Sequence, residues 1–234
     1  MDGEAPIRVV LVEDEGLYRE MLATCLAGEP DLEVAGSFES ADQALRAIDE
    51  IEPDVAILDF ELPGSLHGID LGLALRRRLP RIGIVLLSNH AVPHLLSTLP
   101  AEAVPGWAYM VKKSVADVAT LTRAIRAAAA GIVAIDSNLI GAMRPRAGSR
   151  LEALSARQRE ILEMLAQGFS NAAIGDAVKA TELSIAEEVS GLFDDLGIDR
   201  ADRAVAPRVR AVLAYLQETR IRWTSPGTDL PATG

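Results

Sequence analysis

Through about residue 130 the chain alternates between short β-branched apolar runs and longer stretches with helical hydrophobic period, an order that few folds accommodate. The runs predict strands at Ile7–Val12, Leu32–Ser37, Val55–Asp59, Ile82–Ser88 and Trp107–Val111. The stretches after them predict helices at Glu15–Ala27, Ala41–Glu50, Ile69–Arg78, Pro93–Leu99 and Val115–Ala130. Val55-Ala56-Ile57-Leu58 and its counterpart from Ile82 to Leu87 show no polar face, so they suit a parallel sheet covered by helices on both sides. Strand–helix units in this order predict an α/β doubly wound, five-stranded parallel sheet over residues 1–131.

After Gly131 the pattern changes. Residues 132–150 carry Gly141, Pro145 and Gly148 among Arg144, Arg146 and Arg150, and read as a linker. From Leu151 to residue 218 the period is helical only, with helix-start signals at Ser155, three residues before Gln158, and at Ser170; this predicts a small all-α four-helix domain. Residues 219–234, with Pro226, Gly227, Pro231 and Gly234, read as a disordered tail.

The 234 residues suffice for two cores, and no apolar run approaches the ~20 residues that a bilayer requires. With no basic-then-apolar start and with Cys25 as the lone cysteine, the expectation is a cytoplasmic protein with no membrane contact and no internal disulfide. Acidic residues outnumber basic ones 34 to 23, a net charge of −11, so the field of the whole molecule repels nucleic acid.

In open α/β sheets the chemistry collects at the carboxyl ends of the strands. There the first strand delivers Glu13 and Asp14, the third Asp59, the fourth Ser88, and the fifth is followed by Lys112. Converging carboxylates repel one another, and a hard divalent cation such as Mg²⁺ relieves the repulsion. Lys112 supplies positive charge on the other side of the same rim.

Val12-Glu13-Asp14, Leu58-Asp59-Phe60-Glu61-Leu62-Pro63, Leu86-Leu87-Ser88 and Tyr109-Met110-Val111-Lys112, in this order, resemble the receiver domain of two-component response regulators, over about residues 5–131. The resemblance implies a flavodoxin-like fold in which Asp59 accepts a phosphoryl group from a sensor histidine kinase. Glu13, Asp14, Asp59 and the backbone carbonyl of Glu61 would hold Mg²⁺, and Lys112 would neutralise charge on the transferring oxygens. Ser88 would then bond the phosphoryl group and Tyr109 rotate inward behind it, the pair acting as the switch. Glu61 and His90 would flank attacking water and set the phosphate's lifetime. The chain would be a phosphoacceptor with self-phosphorylation and self-dephosphorylation only, not an enzyme. A freestanding phosphohydrolase also fits an acidic Mg²⁺ pocket, but one would normally place a second catalytic carboxylate two residues on and a hydroxyl two beyond that, where the run Asp59-Phe60-Glu61-Leu62-Pro63 has Pro63.

Leu154 to Leu162, Ala166 to Ile174 and Leu196-Gly197-Ile198 are similar to the helix-turn-helix domain of LuxR/NarL-type regulators, over about residues 151–217. The similarity makes Thr181–Asp195 the recognition helix, with Thr181, Ser184, Ile185, Glu187, Glu188 and Gly191 as the contact candidates and Leu183, Ile185, Val189, Leu192 and Leu196 as its apolar positions. Between Glu182 and Leu196, however, there are five acidic residues and no basic one, while DNA presents a phosphate charge about every 1.7 Å. Pro207 falls inside what is normally the fourth, dimer-forming helix, where it removes a hydrogen bond or delays the start. Two hypotheses follow. In one, the domain keeps its fold as a protein-interaction module with an acidic face for a basic partner or the chain's own receiver. In the other, it is a DNA-binding transcription regulator, homodimeric on phosphorylation, that compensates through Arg157, Arg159, Lys179, Arg200, Arg203 and the linker arginines. The charge argument favours the first.

Overall fold

The computed structural model describes residues 5–90, 95–201 and 205–221. Strands β1 (Ile7–Val12), β2 (Leu32–Phe38), β3 (Val55–Asp59), β4 (Gly83–Ser88) and β5 (Trp107–Val111) form a parallel sheet with helices α1 (Gly16–Ala27), α2 (Ala41–Ile51), α3 (Gly68–Arg78) and α4 (Val118–Ala129) between and after them. A sixth strand, β6 (Ala134–Ile135), pairs with Ala108 and Tyr109 of β5, giving the order β2-β1-β3-β4-β5-β6. Five strands were expected; a two-residue strand is too short to show an alternating pattern.

Successive strand residues point to opposite sheet faces, and the core divides accordingly. Val10, Val12, Ala56, Leu58, Ile84, Leu86, Trp107 and Tyr109 belong to one buried cluster, and Val9, Leu11, Val55, Ile57, Val85, Leu87, Ala108 and Met110 to the other. With both faces apolar, the strand ends are where polar side chains can sit. The chain steps from β1 outward to β2 and then back across β1 to β3, so the crevice between the carboxyl ends of β1 and β3 is the topological switch point.

The expected helix Pro93–Leu99 is not a helix where it is described. Its place holds two short 3-10 turns, Leu95–Thr98 and Ala101–Ala103, while residues 93 and 94 lie outside the described residues. Pro100 precedes the second turn, and the Thr98 hydroxyl donates to the Leu95 carbonyl, competing for an acceptor that a helix would use.

The expected linker 132–150 is ordered. It holds β6, α5 (Ser137–Ala142), capped by Asp136, and β7 (Met143–Pro145). The all-helical part that follows comprises α6 (Arg150–Ala153), α7 (Ala156–Ala166), α8 (Asn171–Val178), α9 (Glu182–Asp195) and α10 (Pro207–Glu218), five helices rather than four because α6 is a single turn. Pro207 is the first residue of α10, so it delays the start and costs no internal hydrogen bond. The tail expected from residue 219 begins instead as β8 (Thr219–Ile221), antiparallel to β7, and residues 222–234 lie outside the described residues. Arg146 and Arg150 spend their donors on the Thr219 carbonyl and on Glu218, fastening the start of this domain to its end.

The two domains share one core. Val209 and every residue from Ala211 to Leu216 are buried, so α10 is covered nearly all round. It packs on α7 on one side and on the two 3-10 turns of the receiver on the other. Gly168, at φ +83°, lies so close to the receiver that a Cβ would come within 2.9 Å of the Ala134 side chain.

Candidate functional site

Glu13 follows β1 with its N–H donating to the Phe38 carbonyl at 3.0 Å, and the residue is 1 % exposed. Asp59 ends β3 and is 3 % exposed; its Oδ1 accepts from the backbone N–H of Glu61 at 3.2 Å. Glu13, Asp14 and Asp59 each bring a carboxylate oxygen to within 4.8 Å of the other two. Lys112, just past β5, places Nζ 2.9 Å from Glu13 and 3.2 Å from Asp59 Oδ2, in a pocket where all three are buried. It touches both Glu13 oxygens, but only Oε1 accepts a hydrogen bond from it, and Oε2 accepts none. A buried carboxylate oxygen with a free lone pair, beside two further carboxylates, is the donor set a hard divalent cation takes.

Burial drives the carboxyls of Glu13 and Asp59 above the usual carboxylate range, aided at Asp59 by the charge of Asp14 and opposed by Lys112. At Lys112 burial works against the ammonium, yet its hydrogen bond to Glu13 and the charges of Asp59 and Glu13 outweigh burial and raise its pKa. The Lys112 ammonium therefore offsets only part of the penalty that burial places on the Asp59 anion.

Ser88, at the end of β4 and fully buried, accepts from the His90 N–H at 3.1 Å. Tyr109 is already turned inward: its ring is buried and its hydroxyl donates to the His90 carbonyl at 2.5 Å. Ser88 and Tyr109 thus hold the two sides of one peptide residue, His90. Glu61 is half-exposed beside it, with its carboxylate 3.9 Å from His90 Nε2.

Three further residues belong to this site and were not singled out from the sequence. Tyr18, in the first turn of α1, sets its ring 4.8 Å from Lys112 Nζ and donates its hydroxyl to the Lys112 carbonyl at 3.3 Å. Glu15 adds an exposed carboxylate 3.5 Å from the same ammonium. Buried Asp136 accepts from the Val111 N–H at 3.0 Å and so fixes the end of β5 next to Lys112. An aromatic four positions after Asp14 was the available signal for Tyr18.

In α9 the candidates scatter. Thr181 caps the helix by accepting from the Ser184 N–H, and Ile185 is fully buried with Val189 and Leu192, so it cannot be a contact residue. Leu183, expected on the apolar face, is 71 % exposed, because that face runs through Ile185, Val189 and Leu192 instead. Glu187 and Gly191 are exposed and Glu188 is half-buried. Two of the basic residues expected to compensate are occupied: Arg157 pairs with Glu188 and Arg200 with Asp194, each at 3.0 Å. Arg203 lies outside the described residues, and Lys179 is exposed at the end of α8.

Two family models match this chain, the response regulator receiver domain over residues 9–126 and bacterial regulatory proteins of the luxR family over residues 152–190. The transcriptional regulatory protein DegU of Brevibacillus brevis is 25 % identical over 232 residues, covering 88 % of this chain and 94 % of that protein. The DNA-binding transcriptional activator DevR/DosR of Mycobacterium tuberculosis is 28 % identical over 206 residues, 85 % of this chain and 92 % of its own. Among solved structures, a LuxR-family two-component response regulator from Aurantimonas sp. is 28 % identical with a TM-score of 0.48, over 54 % of this chain and 87 % of that one.

Proposed function

Since the chain belongs to the response regulator receiver family and carries a luxR-family output domain, we propose that Asp59 is its phosphoacceptor and that phosphorylation controls an output domain acting through protein contacts. The observation that carries the first half is the buried Asp59 carboxylate held 3.2 Å from the Lys112 ammonium and beside the carboxylates of Glu13 and Asp14.

In this reading an Asp59 oxygen attacks phosphorus in line, the bond from phosphorus to the histidine nitrogen of a sensor kinase breaks, and the nitrogen leaves with its electron pair. Glu13, Asp14, Asp59 and the Glu61 carbonyl would hold Mg²⁺, which when bound offsets the charge on the phosphoryl oxygens. Lys112 offers the same oxygens an ammonium that is already in place, so little reorganisation accompanies the transfer. The protein is a phosphoacceptor rather than an enzyme turning over free substrate. Ser88 is the hydroxyl that ends β4, the strand beside the one that Asp59 ends. Drawing it toward an acyl phosphate takes away the acceptor of the His90 N–H, while Tyr109 still grips the His90 carbonyl. His90 leads, by way of residues outside those described, to the 3-10 turns on which α10 rests.

For the output, five acids on α9 and the pairing of Arg157 and Arg200 with two of them support a partner that is a basic protein rather than a duplex. A second reading, phosphorylation-controlled binding of DNA by a homodimer, is favoured by the luxR-family match and by the described activity of DevR/DosR. One experiment addresses both halves: incubation with Mg²⁺ and a small phosphodonor, intact mass on the chain and on Asp59→Ala, then a shift assay with duplex DNA on both forms. A labile phosphate that Asp59→Ala abolishes, with no duplex bound at physiological salt, is the expected result. Tight, salt-steep duplex binding would move the output to the second reading.

A further inference from the structure

Lys112 is held by four groups, and they differ in what they can offer once a cation enters the pocket. Glu13 and Asp59 contact the ammonium at 2.9 and 3.2 Å, yet both are also in the carboxylate cluster that a divalent ion would occupy. The third, Glu15, is well exposed at 3.5 Å, where water screens the pair and leaves it weak. The fourth is the face of Tyr18, with its centroid 4.8 Å from Nζ. A ring face attracts an ammonium but offers a divalent ion among carboxylates no lone pair. The same side chain reaches the backbone of Lys112 as well, its hydroxyl donating to the carbonyl at 3.3 Å. Tyr18 therefore grips Lys112 at both ends of its four-carbon stem.

We propose that Tyr18 is a positioning residue for phosphoryl transfer: its ring keeps the Lys112 ammonium over Asp59 when the neighbouring carboxylates are drawn toward Mg²⁺. The inference rests on the reading of Asp59 as the phosphoacceptor. Tyr18 touches neither the phosphoryl group nor the acceptor; it acts through Lys112. The ring does the holding, and the hydroxyl tethers the loop after β5 to α1.

The chain has three lysines, Lys112, Lys113 and Lys179, so ¹³C-lysine labelling of the full-length protein gives a spectrum simple enough to assign with Lys113→Arg and Lys179→Arg. The ring should displace the Lys112 ε-methylene proton signal upfield, and the displacement should persist at saturating Mg²⁺. Tyr18→Leu should remove it and lower the maximal rate of phosphorylation by acetyl phosphate by about tenfold, with the apparent affinity for Mg²⁺ unchanged. Tyr18→Phe should keep the displacement and most of the rate. The inference is overturned if Mg²⁺ abolishes the displacement in the unsubstituted chain, if Tyr18→Leu is phosphorylated as fast as the parent, or if its loss of rate follows a loss of Mg²⁺ affinity. Should Tyr18→Leu not fold, the parent signal with and without Mg²⁺ and the rate of Tyr18→Phe decide. Absence of phosphorylation in the parent would defeat the functional reading itself, a result separate from any of these.

Discussion

Burial raises the carboxyl of Asp59 above its ordinary value of 3.8, with Asp14 adding to the effect. A carboxyl that holds its proton more tightly folded than unfolded contributes stability that is present below the unfolded pKa and is lost as pH rises through the folded one. In Mg²⁺-free buffer, Asp59→Asn should therefore melt above the parent at pH 7, and the gap should shrink as pH falls through the carboxylate range toward 4. Thermal melts of both proteins across that range, with a chelator present, check it; a gap independent of pH would sink the idea that desolvated charge is the cause. Adding Mg²⁺ should raise the melting temperature of the parent and leave Asp59→Asn largely unmoved. The residues of this pocket were legible in the sequence because each ends or directly follows a strand that is apolar over its last positions before them, which leaves a polar residue only the sheet's rim to occupy. Tyr18 was not, because its contact with Lys112 spans 94 positions and depends on how α1 is rotated over the loop after β5. Asp136 escaped for a similar reason: it serves the site only through the backbone of Val111.

At the level of elements, α3 and α9 place the sharpest demands. Gly68 opens α3 with its N–H donating to the Phe60 carbonyl at 3.1 Å, and a Cβ there would fall 2.3 Å from the backbone oxygen of Asp59. Backbone cannot swing aside as a side chain can, so Gly68→Ala should force α3 away from the end of β3. It should cost about 1–3 kcal/mol of stability and slow phosphorylation of Asp59, read by chemical denaturation and by intact mass. In α9, Glu182 and Glu187 are exposed and form no ion pair among the described residues, whereas Glu188 and Asp194 are spoken for by arginines. Replacing the two free acids with lysine should leave the fold intact and confer binding to heparin and to duplex DNA that weakens steeply with salt, since phosphate contacts release counterions. An unchanged elution position on heparin would mean that the acids of α9 are not what keeps polyanions away. The elements with long, regular hydrophobic patterns were readable from the sequence. Those that were misread are short or chemically mixed: β6 has two residues, the turns after β4 are broken by Pro100, and β7 and β8 become strands only by pairing with each other across 74 positions or more.

Across the whole molecule, the receiver and the output domain are joined by buried contact rather than by a tether. Leu96, Leu99 and Val104 of the receiver belong to the same apolar cluster as Val209, Val212 and Leu213 of α10. Beside that seam the Arg123 guanidinium lies 4.6 Å from the Phe169 ring, and Gly168 nests against Ala127 and Ala134. No single-domain pattern in the sequence could announce this, because α10 has an apolar face for its own domain and another for its neighbour, and only the assembled seam shows the second to be used. Two domains that share a core should unfold together, so calorimetry of the unphosphorylated chain should give one endotherm. Gly168→Val attacks the seam twice: the left-handed backbone at φ +83° is strained for a β-branched residue, and the added atoms meet Ala134 within 2.9 Å. The strain alone amounts to about 1–2 kcal/mol, and the clash is relieved only by drawing the domains apart. The endotherm should then split, with the receiver retaining its Mg²⁺ response and α10 losing the cover of the 3-10 turns. If phosphorylation reaches the output through His90 and those turns, phosphorylating the parent chain should produce the same splitting that Gly168→Val produces without phosphate. Two endotherms in the unmodified protein, or one that persists in Gly168→Val, would show that the seam does not couple the domains.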